Sequence, residues 1–164
     1  MISKDMSKTI KKILLPIDGS ATSMKAARIA ISLSKKFRSD LIGFTVIDLM
    51  SLPYEYFITQ PGTSPHDKIL EEKRVETKKW LDKVEKMLLE ASDERQFADI
   101  KFRTEIIEDP YSKVESAIIN YAECEGVDLI VMGTRGRSGF KRILLGSVAS
   151  GVLSYAHCPV LTVR

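Results

Sequence analysis

Cysteine is nearly absent from this chain. Only Cys124 and Cys158 occur among 164 residues, which excludes a disulfide-framed fold and suits a reducing cytoplasm, the expected location. Long apolar runs are missing too. Stretches such as Leu129 to Met132 fall far short of the roughly 20 residues that cross a bilayer, so no membrane association is expected. Lys4, Lys8, Lys11 and Lys12 stand near the start, but the apolar stretch after them stops at Asp18. A secretory signal needs about 7–15 apolar residues in its core, and none is expected here. Internal repeats and low-complexity tracts are also lacking. The 44% hydrophobic and 29% charged residues belong to a globular chain, expected as one domain over residues 1–164.

Acid is missing from the whole end of the sequence. All 22 acidic residues stand at or before Asp128, whereas five of the 25 basic ones (Arg135, Arg137, Lys141, Arg142 and Arg164) follow it. The first 128 residues therefore set 20 basic against 22 acidic, a net −2, and the remainder carries +5. A local excess of this kind suits a local anion. With no nucleic-acid motif beside it, nucleic acid is not expected as a partner.

What is present alternates strand with helix. Ile13 to Ile17 is a short apolar run closed by Asp18-Gly19-Ser20, a turn with helix-capping side chains. Ala26, Ala30, Leu33 and Phe37 recur at helical spacing, and Asp40 to Ile47 reads as a strand buried on both faces. Trp80/Leu81, Val84, Met87/Leu88 and Ala91 form the stripe of a second helix, whose charge run Glu71 to Lys79 is assigned no function. Ile100 to Ile107 alternates as an edge strand does, and a third helix follows Pro110 with Val114, Ala117 and Ile118 on one side. Leu129 to Met132, Ser147 to Ala156 and Val160 to Val163 read as a buried strand, a helix and a last strand. Five strands separated by helices imply an α/β fold, a parallel sheet covered on both faces. Leu49 to His66, with Pro53, Pro61 and Pro65, has no period. It is expected as a long loop at the carboxyl edge of the sheet, either a lid or a plain surface insertion.

Gly133, Gly136, Gly139 and Gly146-Ser147 follow the fourth strand, interleaved with Arg135, Arg137, Lys141 and Arg142. Glycines let several amide N–H groups converge on one anion, and a helix opening at Ser147 adds orphan donors and the positive end of its dipole. The spacing fits neither a Walker A loop nor a Gly-x-Gly-x-x-Gly dinucleotide fingerprint. A plainer alternative stays open, in which Gly133 and Gly136 only make a turn and Gly146 ends a short helical segment from Phe140 to Leu145.

The spacing Gly133-x2-Gly136-x9-Gly146-Ser147 resembles the nucleotide-binding signature of the universal stress protein family, in its ATP-binding branch. Ile13-Leu-Leu-Pro16-Ile-Asp18-Gly19-Ser20, Val46-Ile47-Asp48 and Cys158-Pro159-Val160-Leu161-Thr162-Val163 are similar to the family's opening strand and turn, second strand and closing strand. The resemblance implies a three-layer, doubly wound, Rossmann-like sheet of five parallel strands in the order 3-2-1-4-5, with the nucleotide across strands one and four. It implies that Pro16 and Asp18 border the adenosine, that the Val46 backbone meets the adenine edge, and that Met132 and Gly133 lie against the nucleoside. Thr134, Arg135, Gly136, Arg137, Ser138 and Gly139 would wrap the phosphates, and Gly146, Ser147, Val148 and Ala149 would bind them from the helix end. On the residues alone, Pro16 and Val46 can equally be sheet core and Asp18 a helix cap.

The function so implied is a cytoplasmic, ATP-binding switch or sensor in stress responses, read by a protein partner, with Mg²⁺ or Mn²⁺ on the phosphates. A homodimer through the edge strand Val160 to Val163 is expected with it. The rival is an ATPase or nucleotidyl-transfer enzyme. Neither His-x-Gly-His nor Ser-Gly-Gly-x-Asp-Ser occurs and nothing acidic follows Asp128, so slow hydrolysis is the most expected and no catalytic residue is assigned. His66 and His157 stand at no metal-ligand spacing, and no protein metal site is assigned.

Overall fold

A computed structural model describes residues 10–48, 65–91, 100–109, 112–136 and 145–164. Its elements are β1 (Lys12–Pro16), α1 (Ala21–Phe37), β2 (Asp40–Asp48), α2 (Pro65–Ala91), β3 (Phe102–Asp109), α3 (Val114–Cys124), β4 (Leu129–Gly133), α4 (Ser147–Tyr155) and β5 (Val160–Val163). The strands pair in parallel in the order β3-β2-β1-β4-β5. From β1 the chain steps outward to β3, then returns to β4 and continues to β5. The reversal puts α1 and α2 on one face and α3 and α4 on the other.

Side-chain alternation divides the core accordingly. Ile13, Leu15, Leu41 and Val131 pack against Ala26, Ala27 and Ala30 of α1 and Leu81, Val84 and Leu88 of α2. Leu14, Ile42, Phe44 and Ile130 face Ile118 and Ala122 of α3 and Ala149 and Val152 of α4. Phe44 also meets the Tyr121 ring with centroids 4.6 Å apart. Strands covered on both faces need apolar residues at successive positions, which is why β1 and β4 read as unbroken runs.

Element boundaries differ by a residue where β2 and β4 run on to Asp48 and Gly133 and α4 stops at Tyr155, and more instructively at β1, β3 and α2. β1 ends at Pro16, after which only the Ile17 N–H bonds Phe44 O, at 2.8 Å. β3 lies two residues later than its alternation suggests, because Phe102–Asp109 pairs with Leu41–Asp48 along nearly the whole of β2. Ile100 is buried ahead of that ladder. α2 begins at Pro65, so Pro65 and His66 belong to a helix; proline suits a first helical turn, where its missing N–H costs nothing. The rest of the expected loop, residues 49–64, lies outside the described residues, as does Pro110. Among the described residues no helix is long and apolar enough to cross a membrane. Cys124 and Cys158 form no disulfide.

Candidate functional site

β1 pairs with β4 only at Ile13–Leu129 and Leu14–Ile130. Beyond those residues the two strands part at the carboxyl edge, where the strand order reverses, and a cleft of about 370 Å³ opens. Pro16 and Asp18 line it from β1 and its turn, and Val46 from β2. Met132, Gly133, Thr134, Arg135 and Gly136 come from β4 and the turn after it, and Gly146, Ser147, Val148 and Ala149 from α4. These residues span 134 positions of sequence and share one wall-to-wall space. Arg137, Ser138 and Gly139 lie outside the described residues, as do Phe140 to Leu144.

One end of the cleft is built for negative charge. α4 starts behind Gly146, which has no side chain to cap it, and the first bond of the helix is Ser150 N–H to Gly146 O at 2.9 Å. The N–H groups of Ser147, Val148 and Ala149 are thus the orphan donors of the first turn. α1 differs: its Ser20 Oγ accepts from the Ser23 N–H at 3.1 Å. α3 also starts without a side-chain cap, at Lys113, with Val114 on the cleft wall; α4 is the start that contributes three successive residues, Ser147, Val148 and Ala149, to the cleft. Ser147, expected at or near the cap, is the first helical residue.

The turn after β4 is tied down on three sides. Thr134 N–H donates to Val163 O at 2.8 Å, Gly146 N–H donates to Thr134 O at 2.7 Å, and Thr22 Oγ1 donates to Arg135 O at 2.5 Å. Within this frame Thr134 Oγ1 and Arg135 Nε are buried with no hydrogen-bond partner among the described residues. A buried donor or acceptor left unpaired costs about 1–3 kcal/mol, so these two atoms fit a polar ligand, and the orphan N–H groups of α4 fit an anionic one.

The other end offers complementary groups. Asp18 Oδ1 accepts the Ser20 N–H at 3.0 Å, which makes Asp18 the brace of the turn while Ser20 is the helix cap. Asp18 Oδ2 is turned toward Gly136, 3.1 Å from where a Cβ there would stand. Within a parallel strand, the N–H and C=O of one residue point to one neighbour and those of the next residue to the other, so residues two apart face the same side. Leu41 N–H bonds Lys101 on the β3 side, while Phe44 O accepts from Ile17 on the β1 side. Val46, two residues beyond Phe44, therefore directs its main chain to the side where β1 has already ended. One donor and one acceptor face the cleft there.

The glycines do different jobs. A Cβ at Gly133 would lie 2.8 Å from Ser23 N and 2.7 Å from Thr22 Oγ1, so Gly133 lets β4 abut the start of α1. At Gly146 the nearest atom would be Thr134 O at 3.4 Å, so a Cβ there would make ordinary contacts with the turn after β4. Gly19, with φ +78°, adopts a conformation that side chains disfavour and holds the Trp80 indole against its Cα. Sequence reasoning missed this contribution of α2: Lys73, Glu76, Thr77 and Trp80 line the cleft. The signal was the spacing of Thr77 from Trp80 and Leu81 on the helix stripe. Among the described residues no three His, Cys, Asp or Glu side chains group as a metal site, and His157 Nε2 lies 3.2 Å from Val127 O, away from the cleft.

A doubly wound sheet with an uncapped helix start at its switch point defines a nucleotide-binding-like α/β class. Residues 9–164 match the universal stress protein family, and the chain belongs to it. It is 38% identical to universal stress protein MJ0531 of Methanocaldococcus jannaschii over 94% of its own length and 82% of the relative's. With MJ0577 of the same organism the identity is 33%, over 97% and 98%. The solved structure of MJ0577 superposes with a TM-score of 0.76 at 28% identity, over 94% of this chain and 96% of that one. A universal stress protein from Archaeoglobus fulgidus, solved in complex with dAMP, shares the fold at 16% identity with a TM-score of 0.61, over 95% and 99%.

Proposed function

We propose that this chain binds ATP in the cleft between β1 and β4 and acts as a nucleotide-dependent switch or sensor in stress responses. The observation that carries the reading is one cleft lined by the uncapped start of α4, an open main chain at Val46 and the Asp18 carboxylate. The triphosphate takes the N–H groups of Ser147, Val148 and Ala149 and the side chains of Thr134 and Arg135, with Arg137, Ser138 and Gly139 completing the wrap. The Asp18 carboxylate accepts from ribose hydroxyls. Val46 offers an N–H to adenine N1 and a carbonyl to the N6 amine, a polarity that guanine's edge opposes. Mg²⁺ or Mn²⁺ enters on the phosphates. When bound it neutralises their charge; the positioning is the work of the chain itself.

Support for an adenine nucleotide in particular comes from the dAMP complex of the Archaeoglobus fulgidus protein. The chain forms a homodimer through β5, and a protein partner in the cytoplasm reads the nucleotide state. Hydrolysis, if it accompanies binding, is slow.

The test is to denature freshly purified protein and resolve the released nucleotide by ion-exchange chromatography, followed by calorimetry with Mg-ATP. ATP near one per chain is the expected result. ADP alone would shift the reading to a hydrolase. No released nucleotide and no heat with Mg-ATP would overturn it.

A further inference from the structure

Helix α2 reaches past the sheet. Its Leu81 side chain stands over Gly43 of β2, where a Cβ would meet Leu81 Cδ2 at 3.1 Å. One helical turn advances about 6 Å, or two strand residues, so Thr77 is carried from the level of Gly43 toward the carboxyl edge. Thr77 is only 3% exposed, yet it lines the cleft, and its hydroxyl makes no hydrogen bond to any described residue. A helical threonine commonly satisfies itself on the carbonyl one turn back; Ser32 and Ser154 do so in this chain, at 3.0 and 2.9 Å. Thr77 does not.

The wall carrying Thr77 is fixed in place. Three residues on, Trp80 lies against Gly19, whose added Cβ would fall 2.4 Å from the indole Cε2. That contact docks α2 on the Asp18-Gly19-Ser20 turn. At the edge of the sheet, Arg74 grips Glu108 of β3 through both guanidinium arms, Nε to Oε1 at 2.6 Å and Nη2 to Oε2 at 2.8 Å. Anchored at the turn and at the edge strand, the intervening helical turn presents the Thr77 side chain to the cleft that Asp18 and Val46 also line.

We propose that Thr77 is a ligand-binding residue: its hydroxyl hydrogen-bonds the nucleoside half of the bound nucleotide, making α2 part of the recognition surface. This rests on the nucleotide reading above and adds a residue that neither the glycine loop nor β1, β2 and β4 supplies.

Calorimetry with AMP and with Mg-ATP on the wild type, Thr77→Val and Thr77→Ser tests it. Valine keeps the shape and removes the hydroxyl; serine keeps the hydroxyl. Loss of one neutral hydrogen bond weakens binding about fivefold, and the expected result is that factor for both ligands with Val and near-wild-type affinity with Ser, at matched melting temperatures. Thr77→Ala is the second probe if valine does not pack. Unchanged affinity in the Val or Ala variant overturns the proposal, as does a loss for ATP that AMP does not share, which would put the contact on the phosphates. A loss that serine fails to rescue assigns Thr77 a packing role and overturns it too. Wild-type protein that binds neither ligand removes the nucleotide reading itself, and the proposal with it.

Discussion

Gly146 donates its N–H to the carbonyl oxygen of Thr134 at 2.7 Å, twelve residues back along the chain. The bond closes the neck of the segment between β4 and α4 and sets the first turn of α4 beside Thr134, Arg135 and Gly136. The position of the orphan donors thus depends on a main-chain contact that any residue but proline can make at 146, while the room beside them depends on the missing side chain.

Gly146→Ala separates these two roles. With φ −70° and 3.4 Å to the nearest atom, alanine fits the folded protein, and the stability change is expected to stay below about 1 kcal/mol. The methyl group enters the space claimed for the phosphates, so Mg-ATP affinity is expected to fall at least about tenfold. Thermal melting and calorimetry on the same sample check both halves. Unaltered affinity would place the phosphates elsewhere.

Gly133→Ala is expected to act through the fold. Its methyl group would press on the Ser23 amide and the Thr22 hydroxyl at under 3 Å, and overpacking of this kind costs about 1–3 kcal/mol. The urea midpoint should drop with the slope of the transition unchanged. Any loss of nucleotide in this variant then reports stability, which makes position 133 a poor probe of the site although it stands first in the glycine signature.

That contrast marks how far the sequence could be read. Strand order followed from the family resemblance, the alternation of elements gave the parallel sheet, and the spacing of Gly146-Ser147 located the start of α4. Periodicity cannot separate a glycine that admits a ligand from one that admits a neighbouring helix, because both leave the same gap in the pattern. Nor could it show the first half of α2: residues before Trp80 are charged on most sides, so no apolar stripe marks them, and only Pro65 at the first helical position hints at the start. Thr77 is one hydroxyl among charges, and only its spacing from Trp80 and Leu81 ties it to the helix stripe. Asp18 was ambiguous between cap and ligand contact until the geometry assigned the cap to Ser20.

The Arg74–Glu108 pair predicts a pH dependence. The Arg74 guanidinium holds the Glu108 carboxyl below its ordinary value, mainly by hydrogen bonding, against an opposing effect of burial, with the charge of Arg74 adding the smallest share. A carboxyl depressed on folding contributes stability that is present above its ordinary pKa of about 4.5 and is lost as pH falls through the lower folded value. Glu108→Gln should therefore lower the urea midpoint slightly at pH 7, and the difference from wild type should shrink below pH 4. A gap that persists at pH 3 would mean that the pair acts by shape and not by charge.

The edge strand β5 predicts the assembly. Its Val160-Leu161-Thr162-Val163 run carries no charge and no proline within it, and it pairs with β4 on one side only among the described residues. Natural edges of this kind are usually blunted or covered. Here Leu161 on the strand and Leu153 and Tyr155 at the end of α4 are exposed, Tyr155 by 76%. A second copy related by a two-fold axis would cover them by continuing the sheet. Leu161→Lys adds the residue that most often guards an edge and is expected to leave a folded monomer, while wild-type protein runs at twice the monomer mass in light scattering at tens of micromolar. Because β5 also holds Thr134 through the Val163 carbonyl, the monomeric variant should keep its nucleotide affinity within about twofold if that bond is intrinsic to each subunit. A large loss on dissociation would instead mean that the cleft is completed only when two β5 strands pair.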